Sequence, residues 1–249
     1  MNKKSSLIAK LAYRITVPKC VSCRRILLNN ERALCAKCYG EYLNVKSRSC
    51  SICNKPLSRC FCTNDFLSTH FVKGLAKVFR YRVKDENKSA NSLIFRMKKR
   101  SRKDVTDFCA SELVDAITSC KPDLTNAIVT NVPNRKSVIR ERGMDHAQVL
   151  ARAVAEKLGL EYKHLLVSLA KRPQKSLTTE ERMKNADFDI VCDESLEGKT
   201  VLIIDDVVTS GASMGKSATM IRALRPKKIY GAALAVAYFD DYKKINKKG

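Results

Sequence analysis

VLIIDDVVTSGAS, residues 201–213, sets four branched apolar residues directly before two adjacent aspartates, then bends through small hydroxylated residues around one glycine. A short apolar run without polar alternation reads as a strand buried on both faces, the habit of parallel sheets covered by helices. In such sheets ligands bind beyond the carboxyl ends of the strands. Asp205 and Asp206, expected directly after a strand over 200–204, therefore stand at the rim where small molecules are held. Val208, Thr209, Ser210, Gly211, Ala212 and Ser213 complete the bend: hydroxyls are offered, Gly211 lets a ligand approach the backbone, and a helix from about Ala212 to Leu224 opens with N–H groups that favour a phosphate. Carboxylates suit sugar hydroxyls, so the stretch reads as a cradle for a phosphorylated ribose. A single glycine in this stretch is too few for a dinucleotide-binding fingerprint, and no Gly-Lys-Ser/Thr of a P-loop is read. A plain Asp-Asp helix cap is the simpler alternative, but it does not account for run, acids and hydroxyls falling in register.

Working outward, the chain from residue 104 alternates helix and strand. DVTDFCASELVDAITSC reads as a helix, NAIVTNVP (126–133) as a buried strand, and MDHAQVLARAVAEKLG as a helix stopped by Gly159. IYGAALAVA (229–237) is a further buried strand. The expected fold class is α/β, a parallel sheet with helices on both faces.

The N-terminal part is built on different chemistry. Eight of the eleven cysteines fall between positions 20 and 62: Cys20, Cys23, Cys35 and Cys38, then Cys50, Cys53, Cys60 and Cys62. Two Cys-x-x-Cys turns can close a tetrahedral thiolate site, so the first quartet predicts structural zinc. The second has the tighter Cys60-x-Cys62 and gives a weaker signal, leaving one or two zincs. A disulfide framework fits less well, because no secretion signal is read at the N-terminus. Cys109, Cys120 and Cys192 are scattered and read as small core residues.

Between these parts, residues 71–103 hold twelve Lys or Arg against Asp85 and Glu86, with Phe71, Phe79, Tyr81 and Phe95 interleaved. AKVFRYRV alternates as a half-buried strand would, and Leu93, Ile94 and Met97 share one helix face. Cations beside flat rings suit a single strand of nucleic acid, although plain core is the commoner fate of such aromatics. The whole chain carries a formal net charge of +23, which favours polyanions. No apolar run is long enough to span a bilayer. The expected organisation is a zinc-binding module over 1–65, a basic aromatic connecting segment over 66–103 and an α/β domain over 104–249.

At this point VLIIDDVVTSGAS resembles the loop that binds phosphoribosyl pyrophosphate (PRPP) in type I phosphoribosyltransferases. The cysteine knuckles, VTNVPNRKSVIRERGMDHAQVLARAVAEKLGL, KRPQKSLTTEERMKN and this loop follow the order of the ComF family, competence proteins of natural transformation. The resemblance implies a type I phosphoribosyltransferase-like domain behind a zinc finger, PRPP and single-stranded DNA as ligands, competence helicase or DNA-processing proteins as partners, and a cytoplasmic place. It further implies that Asp205 and Asp206 hold the ribose hydroxyls and that Thr209 to Ser213 take the 5′-phosphate. Asn134, Arg135, Lys136, Arg140, Arg142, Lys98 and Lys99 become candidates for pyrophosphate or DNA phosphate, and Mg2+ is expected to accompany PRPP rather than sit in a protein cage.

One departure stands out. Where the family reads Arg-Gly-Phe-Asn-Gln, this chain reads Arg142-Gly143-Met144-Asp145-His146. The segment 164–186 could form a lid, with Thr178 and Glu181 as a capping box, but no acceptor site or catalytic residue is identifiable. Two other functions stay open: a phosphoribosyltransferase of nucleotide salvage, and a zinc-ribbon adaptor recruiting another protein.

Overall fold

The computed structural model describes residues 17–81, 87–99, 102–169 and 188–237. Its frame is a sheet of β1 (Val72–Arg80), β2 (Ala127–Asn131), β3 (Glu161–Tyr162), β6 (Thr200–Val208) and β7 (Lys228–Val236), in the order β1-β7-β6-β2-β3. Every neighbouring pair runs parallel. β4 (Leu166–Ser168) and β5 (Phe188–Ile190) form a separate antiparallel ribbon. Among the described residues, no helix is long and apolar enough to cross a membrane.

Helices cover both faces, as continuous apolar strands require. On one side α4 (Lys103–Cys120) and α6 (His146–Leu158) pack over Val78, Val129, Leu202, Ile204 and Leu234. α1 (Ala36–Lys46) and α3 (Lys88–Lys99) extend that side, with Leu93, Ile94 and Met97 buried as their spacing predicts. On the other side α7 (Ala212–Arg222) and the short α2 (Asp65–Thr69) pack over Val201, Ile203, Ile229 and Val236. Gly159 ends α6 in the left-handed region at φ 65°.

Two strands differ from expectation. β6 does not stop at Ile204: its ladder to β7 continues through Asp205, Val207 and Val208, opposite Ala233, Ala235 and Val236. The aspartates thus lie within the last part of the ladder, followed by Val207 and Val208, rather than opening a loop, because a carboxylate on a strand leaves the backbone free to pair. β1 is not half-buried either. Residues 74–79 are all buried, including Lys77 at 2% exposure. The Lys77 ammonium is satisfied by the carbonyls of Cys62 at 2.7 Å and Leu75 at 3.2 Å, which is how a charge enters a core strand.

Candidate functional site

Strand order reverses between β6 and β2: β2 leads through α6 to β3 on one side, β6 through α7 to β7 on the other. Such a switch point opens a crevice at the strands' carboxyl ends. Val132 N donates to Ile204 O at 2.9 Å, holding the ends of β2 and β6 side by side. The loop after β2 therefore faces the acidic end of β6.

Asp206 is buried, at 8% exposure, and Asp205 is half-buried. Desolvation, reinforced by the charge of Asp206, pushes the carboxyl of Asp205 well above the usual carboxylate range; the Lys98 cation opposes this only in part. The pair is joined by Asp206 N donating to Asp205 Oδ1 at 2.8 Å. Beyond it Thr209 is exposed, Ser210 Oγ accepts from Ala212 N at 3.3 Å, and Gly211 turns at φ 84° to start α7. A side chain at Gly211 would be strained by that φ and would also meet Leu67, whose Cγ lies 2.9 Å from an added Cβ.

The departure at Asp145-His146 has a structural use. Asp145 caps α6 by accepting from Gln148 N at 3.1 Å, and it also accepts from Asn134 N at 3.2 Å and Asn134 Nδ2 at 2.8 Å. Asn134 is therefore tied into the loop's scaffold, and Asp145 is a positioning residue the sequence reading left without a role. His146 beside it is 2% exposed, and among the described residues no partner reaches its Nε2. Burial, aided by the Arg142 cation, lowers its pKa, against the opposing charges of Asp206 and Asp145.

Of the cationic candidates, Lys136, Arg140 and Arg142 are exposed on or at the end of α5 (Lys136–Arg142), and Arg135 is half-buried as its N-cap. Lys99 is exposed on α3, 5.1 Å from the centre of the Phe95 ring. Lys98 is placed differently: its Nζ pairs with Asp206 Oδ2 at 2.9 Å. Thr178, Glu181 and most of the expected lid lie outside the described residues. Gly215-Lys216-Ser217 does occur, but only three residues separate Gly211 from Gly215, where a P-loop has four. Here the tripeptide lies inside α7, with Gly215 packed on Phe66.

Each cysteine quartet is brought together. The Sγ atoms of Cys20, Cys23, Cys35 and Cys38, and those of Cys50, Cys53, Cys60 and Cys62, lie within 4.8 Å of one another in each set. Zinc with thiolates at about 2.3 Å spreads its sulfurs about 3.8 Å apart, which both sets match in scale. Four soft donors with no fifth position fit structural zinc, so the quartet with the weaker spacing is as well assembled as the first.

Residues 144–248 match the model of the phosphoribosyl transferase domain. The chain is 26% identical to the competence protein ComFC of Bacillus subtilis over 76% of its own length and 77% of that protein's. It is 41% identical to a ribose-phosphate pyrophosphokinase of Thermococcus kodakarensis over 33% of its length, spanning a quarter (25%) of that enzyme. A purine phosphoribosyltransferase from Pyrococcus horikoshii superposes with a TM-score of 0.36 at 19% identity, covering 54% of this chain and 74% of that one. The chain thus carries a phosphoribosyltransferase-type domain behind two four-cysteine clusters. It is a homologue of ComFC.

Proposed function

We propose that the chain is a competence-type accessory protein that binds PRPP at the end of β6 and single-stranded DNA over α3, assisting uptake or processing of transforming DNA in the cytoplasm. The observation that carries this reading is the acidic pair of half-buried Asp205 and buried Asp206, followed by the left-handed turn at Gly211, at the switch point between β2 and β6. Asp205 and Asp206 orient the ribose hydroxyls. The N–H groups opening α7 and the hydroxyls of Thr209, Ser210 and Ser213 receive the 5′-phosphate. The loop fixed by Asn134 and Asp145 presents Arg135 and Lys136 towards the pyrophosphate, with Arg140 and Arg142 further out. Oxygen donors at Asp205 and Asp206 suit a hard cation, and Mg2+ bound with the ligand would neutralise its phosphates. On α3 the exposed Phe95, with Lys99 and Arg96 over its ring at 5.1 and 5.9 Å, supplies stacking beside cations.

The test is calorimetric titration of the zinc-loaded chain with Mg2+ and PRPP. The expected result is a binding isotherm that Asp206→Ala weakens at least about tenfold, the loss expected for a charge-assisted contact. No heat from the wild-type chain, or unchanged affinity in the variant, removes the PRPP reading. Oligothymidylate should bind with an affinity that falls steeply as salt rises, since phosphate contacts release counterions. Pyrophosphate release from PRPP with any base would move the reading from binding to transferase.

A further inference from the structure

α3 touches both proposed ligand surfaces. Its buried face, Leu93, Ile94 and Met97, locks the helix to the core, and Phe95 with Lys99 faces solvent. Lys98, in the last turn, reaches Asp206, Nζ to Oδ2 at 2.9 Å, with the two side chains 29% and 11% exposed. An exposed ion pair contributes little, but this one is largely withdrawn from water and its acid is held on a strand. The rim gathers the three carboxyl groups of Asp145, Asp205 and Asp206, and the Asp145 carboxylate is satisfied by amides. His146 is buried, with its pKa lowered. Among the described residues, Lys98 is the cation paired with Asp206.

We propose that Lys98 is an internal competitor for the acidic pair: its ammonium fills the place that a divalent cation or a ribose hydroxyl must take at Asp206, and phosphates arriving on α3 draw it away. This rests on the reading of Asp206 as the sugar-phosphate site. Either ligand must break the same ion pair, and the second to arrive finds it already broken. Polyanion and PRPP consequently favour one another, by the same factor in both directions. The contact also makes a ligand-free chain poor at retaining metal, since a cation already stands against the carboxylate.

The test compares the zinc-loaded wild-type chain with Lys98→Met and Lys98→Gln, which keep the aliphatic stem of the side chain. Mg2+ with PRPP is titrated with and without oligothymidylate, and Mn2+ alone is titrated by the resonance of the free ion. Both variants should bind PRPP about fivefold tighter than wild type, the upper scale of such a pair. Oligothymidylate should tighten PRPP binding in wild type and leave it unchanged in the variants. Weaker or equal PRPP binding in both variants overturns the proposal. If no chain binds PRPP, the reading of the site fails by itself, and Mn2+ then decides the competitor role. Tighter uptake by both variants, lost again when Asp206→Asn is added, sustains it; equal uptake by wild type and variants removes it.

Discussion

The two cysteine clusters share one turn and are fastened to the fold in different ways. In the first, Cys20 N donates to Arg25 O, Arg24 N returns to Cys20 O, and Arg24 sits at φ 69°. In the second, Cys50 N donates to Lys55 O, Asn54 N returns to Cys50 O, and Asn54 sits at φ 57°. From there they diverge. The first closes on α1, with Cys35 as N-cap and Cys38 in the opening turn, and α1 docks on α4 through Tyr42 and Lys46, which donate to Glu112 at 2.5 and 2.6 Å. The second lies on the sheet itself. The carbonyls of Cys60 and Cys62 accept from Lys77 of β1, and Phe61 between them covers Gly74 and lies 5.3 Å from the Tyr230 ring. Equal sets of four thiols thus support unequal parts: one cluster steadies a helix, the other a strand of the main sheet.

Breaking each cluster in turn should show the inequality most strongly. Structural zinc contributes on the order of 10 kcal/mol or more to small metal-bound folds, so losing one ligand undoes its own knuckle. Cys60→Ser should also expose the β1 amides to hydrogen exchange and lower the melting temperature of the whole chain. Cys20→Ser should leave β1 protected. Equal loss of β1 protection in the two variants would erase the distinction.

A smaller effect is expected from Gly74→Ala. An added Cβ would stand 2.3 Å from Phe61 Cε1, so the ring must leave its place over the strand. Overpacking of this kind costs about 1–3 kcal/mol, visible as a lower denaturant midpoint with zinc content unchanged. A midpoint equal to wild type would show that Phe61 is not the fastening.

The smallest shift should come from the other cluster's anchor. Tyr42→Phe removes one donor from Glu112 and leaves Lys46 in place, for a loss of about 1 kcal/mol in equilibrium unfolding. A loss as large as that of Cys60→Ser would mean that the helix anchor matters as much as the strand anchor.

What could be read beforehand follows from the range of each signal. Cysteine spacing and the run from Val201 to Ser213 are local patterns; the paired clusters lie where the spacing puts them, and the run gives the strand but not its end at Val208. Lys77 defeated the reading of β1 because a lysine implies a wet face, and here the carbonyls of Cys60 and Cys62, distant in sequence, join that of Leu75 in holding its ammonium inside. Asp205 and Asp206 looked like a strand's end for the same reason, while their backbone went on pairing with β7. The Lys98–Asp206 contact spans residues far apart in the chain, and no periodicity reports it. Asp145 was legible only as a departure; its ties to Asn134 and Gln148 needed coordinates.

The position of β1 at one end of the sheet has a further consequence. A chain trimmed to start after α3 would uncover the backbone of β7 along Ile229, Gly231, Ala232, Ala233, Ala235 and Val236, residues that pair with β1 in the intact fold. A bare apolar margin of that length recruits other strands and drives clumping. The segment that follows the cysteine clusters therefore guards the rest of the sheet against association, through the single strand β1.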